Sequence, residues 1–251
     1  IKDFSFDNLI DFADTVPLEN LDFIQDGIDM NMHIANIGIN DNLGQGIGKY
    51  LYDKSNDIFS KAKAFTAAAS EARMSGYMLP VMSSAGSGNH GLVTIIPIAV
   101  IGADMNISKE KIIRSIALSH LVTIYVKAYL GTLSPVCGCG VAAGVGCAAG
   151  LTYMMGGNKE QIKGSIDNMI AGISGMICDG AKLGCSYKVS VAVDAAIDAS
   201  NMALNNIYIP SDNGILGETA EKTVLNLAKV SNEGMSNTDS TILDVMLQKC
   251  M

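Results

Sequence analysis

Ser134-Pro135-Val136-Cys137-Gly138-Cys139-Gly140-Val141-Ala142-Ala143-Gly144-Val145-Gly146-Cys147 is the stretch from which the whole chain is best read. A second stretch, Cys178-Asp179-Gly180-Ala181-Lys182-Leu183-Gly184-Cys185-Ser186-Tyr187-Lys188, answers it further on. Five of the six cysteines lie between Ser134 and Lys188. Glycine has no Cβ, so a backbone rich in it comes close to a bulky group and turns where other residues cannot. Thiols wrapped in glycine point to a soft metal or an iron–sulfur site. The Ala/Gly run toward Cys147 predicts a helix that packs tightly through small residues, with Cys147 as a buried apolar side chain.

Spacing restricts the ligands. On one unbroken helix Cys178 and Cys185 would share a face but stand about 10.5 Å apart along the axis, too far for one compact group. The helix must break between them, and Gly180 and Gly184 make a break cheap. Cys137-x-Cys139 is too tight for two ligands of one zinc, so it reads as one ligand and one bystander. Cys250, beside the last residue, reads as incidental.

Composition excludes several classes. The formal charge of −8 leaves no basic patch for nucleic acid. Cysteines at uneven spacing in a chain of 251 residues suit a reducing cytoplasm rather than a disulfide framework. Gly131 to Asn158 carries no charge. Its Pro135 and scattered glycines make it a buried core segment rather than the roughly 20 apolar residues of a membrane span. Half the chain is hydrophobic with few aromatics and no tryptophan, so Ala, Gly, Ile and Met must fill the core. The expected fold is all-α, a single glycine/alanine-rich helical domain over residues 1–251 that encloses the cysteine site. Its small-residue helices would suit a homodimer.

Along the chain, helices are predicted over Phe4–Val16, with Phe4, Leu9, Ile10 and Phe12 on the apolar face, and over Leu21–Asn36. Asn40-Asp41-Asn42 and Gly44-Gln45-Gly46-Ile47-Gly48 mark a loop. A phosphate cradle there lacks the Lys-Ser/Thr ending of a P-loop. Further helices are predicted over Ile58–Met78, from the Ser108 cap to Tyr129, from Asn158 or Lys159 to Met176, and over Val189–Asn205, Glu218–Ser231 and Thr238–Lys249. Pro80–His90 reads as a loop. Leu92–Ile101 is an apolar run broken by Pro97. Asp194 and Asp198 share a helix face that is expected to be solvated. His33 and His120 read as ordinary helix residues.

Cys139-x4-Gly144, the Cys178–Lys188 block, Ser84-Ala85-Gly86-Ser87-Gly88-Asn89-His90-Gly91 and Ser70-Glu71-Ala72-Arg73-Met74 together resemble the L-cysteine desulfidase family. The catalytic domain of iron–sulfur L-serine dehydratase is its more distant relative. The resemblance runs from about Ile24 to Met246 and supports a buried helix over Leu92–Ile101. It implies a four-iron four-sulfur cluster and elimination of sulfide and ammonia from L-cysteine, leaving pyruvate. The cluster ligands would be Cys139, Cys178 and Cys185, with Cys137 in reserve for the first. An iron left open by three thiolates acts as a Lewis acid. Ser87, Asn89 and His90 would bind the small amino-acid substrate. Lys182, Lys188 or His90 would take its proton. Family members also carry an N-terminal region with a Gly-Cys-Thr-Glu-Pro motif, which this sequence lacks. The chain opens at Ile1, so that region is expected from another segment or partner chain. Three other readings stay open: serine dehydration on the same scaffold, a pyridoxal-phosphate lyase with Lys182 as its Schiff base, and a non-catalytic metal-binding module.

Overall fold

The computed structural model describes residues 1–41 and 43–249; Asn42, Cys250 and Met251 lie outside the described residues. The fold is all-α, as expected. Eleven α-helices follow one another among the described residues, and pairing of extended backbone is confined to two isolated bridges, Ser84 with Ser87 and Val136 with Ile177. They are α1 (Phe6–Thr15), α2 (Phe23–Asn40), α3 (Ile47–Lys54), α4 (Ile58–Met74), α5 (Gly88–Asp104), α6 (Lys109–Leu130), α7 (Ala143–Met154), α8 (Lys159–Ile173), α9 (Cys185–Leu204), α10 (Ala220–Lys229) and α11 (Thr238–Gln248). A π-helical turn, Gly138–Ala142, leads into α7. Helix starts are fixed by side chains that accept otherwise unpaired N–H groups. Ser5, Asp57, Ser108, Asn158 and Thr219 each cap the helix that follows.

Helix α7 is the centre. Every residue from Ala143 to Met154 is buried, packed between α5, α6, α8 and α9. The uncharged run of the sequence is therefore core. No helix among the described residues is long and apolar enough to cross a membrane. Small residues make the close packing possible. A Cβ on Gly146 would overlap the Thr123 hydroxyl and the Ser119 carbonyl of α6, and one on Gly150 would stand 2.8 Å from the Ser115 carbonyl. The core helix α5 runs on through Pro97, so the run from Leu92 is a buried helix rather than a strand.

Several boundaries moved, each for a local reason. In α1 the buried face is Phe6, Leu9, Ile10 and Ala13, whereas Phe4 and Phe12 are half-exposed. α4 stops at Met74, with Gly76 left-handed at φ +81° just beyond. α9 begins at Cys185 rather than Val189, and α8 ends at Ile173. The glycine-rich segment after Asp41 turns at Gly46 into a helix, α3, that the sequence did not reveal. Its donors are already used: the backbone N–H groups of Gln45 and Gly48 bind the buried Glu71 carboxylate at 2.7 and 2.9 Å. They cradle an internal anion, not a phosphate. Asp194 is solvated as expected and pairs with Lys63 at 3.1 Å.

The glycine contacts give a stability test. Gly146→Ala should destabilise the fold by about 1–3 kcal/mol through overpacking against α6. Gly172→Ala on α8, where a Cβ meets nothing within 4 Å, should be neutral or stabilising by up to about 1 kcal/mol. Urea unfolding of both variants against the parent checks this. Equal effects would contradict the packing described.

Candidate active site

The two cysteine stretches meet through their backbones. The Cys137 N–H donates to the Met176 carbonyl at 2.8 Å, and the Cys178 N–H donates to the Pro135 carbonyl at 2.7 Å. This short antiparallel bridge sets Cys137 beside Cys178. The π turn then carries Cys139 to the same side, with the Cys137 and Cys139 sulfurs 3.4 Å apart. Between Cys178 and Cys185 the chain is non-helical and passes through Gly180 at φ +88°. The break that spacing required is there. Cys185 opens α9 with its thiol toward the Gly180 carbonyl at 3.7 Å.

These four thiols line one cavity of about 350 Å³. Its opposite wall is the segment from Ala85 to His90. That segment was expected to be loop up to His90, but Asn89 and His90 lie in the first turn of α5. A tight turn precedes them: Ser84 and Ser87 exchange backbone hydrogen bonds of 3.1 and 3.0 Å across Ala85 and Gly86. Both central residues are left-handed, at φ +44° and +80°, as in a type I′ turn. Buried Asn31 on α2 pins the approach, giving and taking hydrogen bonds with the Met82 backbone.

The turn orients His90. Its Nδ1 lies 3.0 Å from the Ser84 carbonyl, which can only accept, so Nδ1 carries the proton and Nε2 keeps its lone pair. Burial, reinforced by the Lys127 cation, lowers the imidazole pKa to about 4. His90 is therefore neutral at pH 7, with Nε2 beside Gly138: a Cβ there would lie 2.5 Å from it. Ser87 holds the N-cap position, yet its hydroxyl makes no capping hydrogen bond. Asn89, which lines the cavity, accepts at Oδ1 from Arg73 Nη1 at 3.3 Å.

The two lysines of the cysteine block divide. Asp179 accepts from both Lys182 and Lys188 in ion pairs. Burial works against that carboxylate, but the two lysines outweigh it and hold its pKa near 2. Lys188 lines the cavity. Burial opposes its charge too, but Asp179 wins and its pKa is raised, so it stays protonated. Lys182 is exposed and outside the cavity. His33 is exposed, and His120 lines a separate apolar cavity of about 460 Å³.

The sequence reading gave no role to two cations that line this cavity, Arg73 and Lys127. A signal for Lys127 was present: it is the one charged residue between Arg114 and Lys159. It is buried at 8 % exposure, hydrogen-bonded to the Thr132 carbonyl at 3.1 Å. Burial lowers its pKa, against the pull of the Cys178, Cys137 and Cys139 thiols. Among the described residues no carboxylate lines the cavity, although the chain's net charge is −8.

Cys137 and Cys178 are protonated as they stand. Contact with Cys139, more than burial, lifts Cys137 to about 11, and contact with Cys137 pushes Cys178 well above the usual thiol range. Cys147 is fully buried in α7, away from this cavity, as expected of a packing residue. Among the described residues no three His, Cys, Asp or Glu side chains converge as ligands of one metal ion.

A family model described as the serine dehydratase alpha chain matches residues 7–244. The chain belongs to the serine dehydratase alpha-chain family. The resemblance drawn from the cysteine and Asn89-His90 motifs holds at that level. Within this family, the chain is similar to UPF0597 proteins of Caldanaerobacter subterraneus subsp. tengcongensis and of Clostridium tetani, each at 61% identity. Those matches take in 99% and 100% of this chain. A UPF0597 protein of Clostridioides difficile is 46% identical over 95% of the chain. The chain spans 59% of the length of the first two relatives and 57% of the third.

His120 supplies a pH test away from the thiols. Burial alone lowers its pKa from 6.5 to about 4. Below pH 6.5 the unfolded chain takes up a proton that the folded chain refuses until about pH 4. The stability linked to His120 is complete above pH 6.5 and is lost as pH falls toward 4. Relative to its own value at pH 7, His120→Leu should therefore lose about 2–3 kcal/mol less than the parent on going to pH 4.5. Urea unfolding at the two pH values measures it. Parallel losses in both proteins would contradict the assignment.

Proposed function

We propose that this chain bears the cluster site of a lyase that eliminates sulfide from L-cysteine, leaving pyruvate and ammonia. One observation carries the reading: a single cavity sets four thiols, a neutral imidazole and the cations Arg73, Lys127 and Lys188 against one another, and of these only Lys188 is paired with a carboxylate. The family match supports the lyase class.

The thiols fit a four-iron four-sulfur cluster better than a single ion. Each iron of such a cluster takes its own thiolate, so the ligands spread around it rather than converge on a point. Cys139, Cys178 and Cys185 would hold it. Cys137, in contact with Cys139, stands too close to serve a second iron and is the bystander. When bound, the cluster supplies an open iron as a Lewis acid for the leaving sulfur.

The chain's own residues then do the following. Asn89 and Ser87, with Arg73 behind Asn89, receive the substrate's carboxylate. The lone pair on His90 Nε2 takes the Cα proton. The C–H electrons form the Cα=Cβ bond as the C–S bond breaks and its electron pair leaves on sulfur. The 2-aminoacrylate so formed tautomerises to an imine, and water releases pyruvate and ammonia. The balance is L-cysteine plus water to pyruvate, ammonia and hydrogen sulfide. Lys188, locked to Asp179, offsets thiolate charge and is a poor base. Lys182, outside the cavity, is poorly placed for proton transfer or for a pyridoxal Schiff base. In this proposal the second wall of the site is the region with the Gly-Cys-Thr-Glu-Pro motif, brought by another segment or chain. A second reading, dehydration of L-serine at the same residues, is favoured by the name of the matching family model.

The anaerobically reconstituted chain should bind about four irons and lose its brown colour in air. Cys139→Ala, Cys178→Ala and Cys185→Ala should each lose most of the iron, and Cys147→Ala should keep it. His90→Gln should keep the iron and lose about 100-fold or more in sulfide release. Assays of sulfide from L-cysteine and pyruvate from L-serine separate the two substrates. Iron without either product, with the Gly-Cys-Thr-Glu-Pro region also supplied, would make the chain a binding module and sink the proposal.

A further inference from the structure

Lys127 lies deeper than any other cation of the cavity and is the least compensated. Lys188 has Asp179. Arg73 is spread over a planar guanidinium and is half-buried on α4. Lys127 is a compact point charge. It makes no ion pair among the described residues, and its one hydrogen bond goes to the Thr132 carbonyl. Removing an ammonium from water without an anion is costly, so an anion that enters beside it gains more than it would at the surface.

Gly138 shows how near the proposed base stands to that ammonium. A Cβ on Gly138 would lie 2.5 Å from His90 Nε2 and 3.4 Å from Lys127 Nζ. The imidazole and the ammonium thus pack against the same point of the backbone, and both line the one cavity. A carboxylate against Lys127 puts the carbon that bears it next to Nε2. Resting on the lyase reading above, we propose that Lys127 is the residue that selects a free carboxylate. It pairs with the substrate's carboxylate in this cavity and turns the Cα hydrogen toward His90, with Asn89 and Ser87 orienting the group rather than supplying its charge partner. The substrate class is then a small monocarboxylate whose α-carbon carries the proton to be removed. Amides and esters of the same amino acid are excluded. During proton removal the same ammonium takes up charge that spreads onto the carboxylate.

The test compares 3-mercaptopropionate with 3-mercaptopropionamide, a pair that differs only in that charge. Binding of each to the anaerobically reconstituted full chain is measured by calorimetry, with iron content and sulfide release followed in the same preparations. The parent should prefer the acid by roughly 10–100-fold, the scale of a charge-assisted pair. Lys127→Met should bring that ratio to near one with iron retained. Lys127→Arg should keep a clear preference, and Lys188→Met should leave the ratio at the parent value. A parent with no preference overturns the proposal. So does a Lys127→Met chain that keeps the preference, with or without its iron, since the lysine would then serve the thiolates or the fold. If Lys127→Met does not fold, loss of the preference in Lys127→Gln keeps the inference, and its persistence there overturns it. A parent that prefers the acid but releases neither sulfide nor pyruvate overturns the lyase reading and leaves the carboxylate site standing.

Discussion

Two backbone hydrogen bonds hold the site together: Cys137 N–H to the Met176 carbonyl and Cys178 N–H to the Pro135 carbonyl. Through them, the segments that precede α7 and follow α8 in the chain run antiparallel for a single bridge, Val136 with Ile177. Everything at the cysteines follows from that pairing. It fixes Cys137 beside Cys178. The wide turn at Gly138–Ala142 can then present Cys139 while delivering the chain into α7. π turns of this kind recur at functional sites because they displace one residue from the helical ladder. The bridge in turn depends on α7 lying deep between its neighbours, which the glycines facing α6 permit.

Electrostatics gives the cavity its direction. A chain of net charge −8 walls this space with Arg73, Lys127 and Lys188 and, among the described residues, with no acid. Asp179 stands just behind and holds Lys182 and Lys188. The cations left without an acid are Arg73, which braces Asn89, and Lys127. Cys137 and Cys178 keep their protons, and a bound cation would reverse that. The imidazole is held neutral by burial and by Lys127, so its lone pair is free at pH 7. The tight turn at Ala85 and Gly86 fixes which of its nitrogens does so.

Much of this was legible in the sequence, for identifiable reasons. Glycine spacing required a break between Cys178 and Cys185, and the break is there. The small-residue pattern around Cys147 gave the central helix. The Cys-x-Cys pair read as one ligand and one neighbour; the fold brings the two sulfurs to 3.4 Å. What stayed hidden depended on distant partners. The run Gly44–Gly48 looks like a loop until Glu71, far along the chain, is seen to take its N–H groups. Asn89 and His90 looked like loop because Gly86 and Gly88 are poor helix formers. The burial of α5 outweighs that propensity. Lys182 and Lys188 looked equivalent beside the cysteines, but only one of them reaches the cavity. Lys127 carried a signal, a lone charge in a long uncharged run, but its meaning needed the fold that buries it.

The central claim is that three thiolates of this cavity hold a cluster and leave one iron toward the substrate. Mössbauer spectroscopy of the chain reconstituted with iron-57 reads this directly. The account predicts one iron site distinct from the other three, and a shift of that site alone when L-cysteine is added. Four equivalent sites that do not respond to L-cysteine, as expected if Cys137 completed the ligand set, would contradict it.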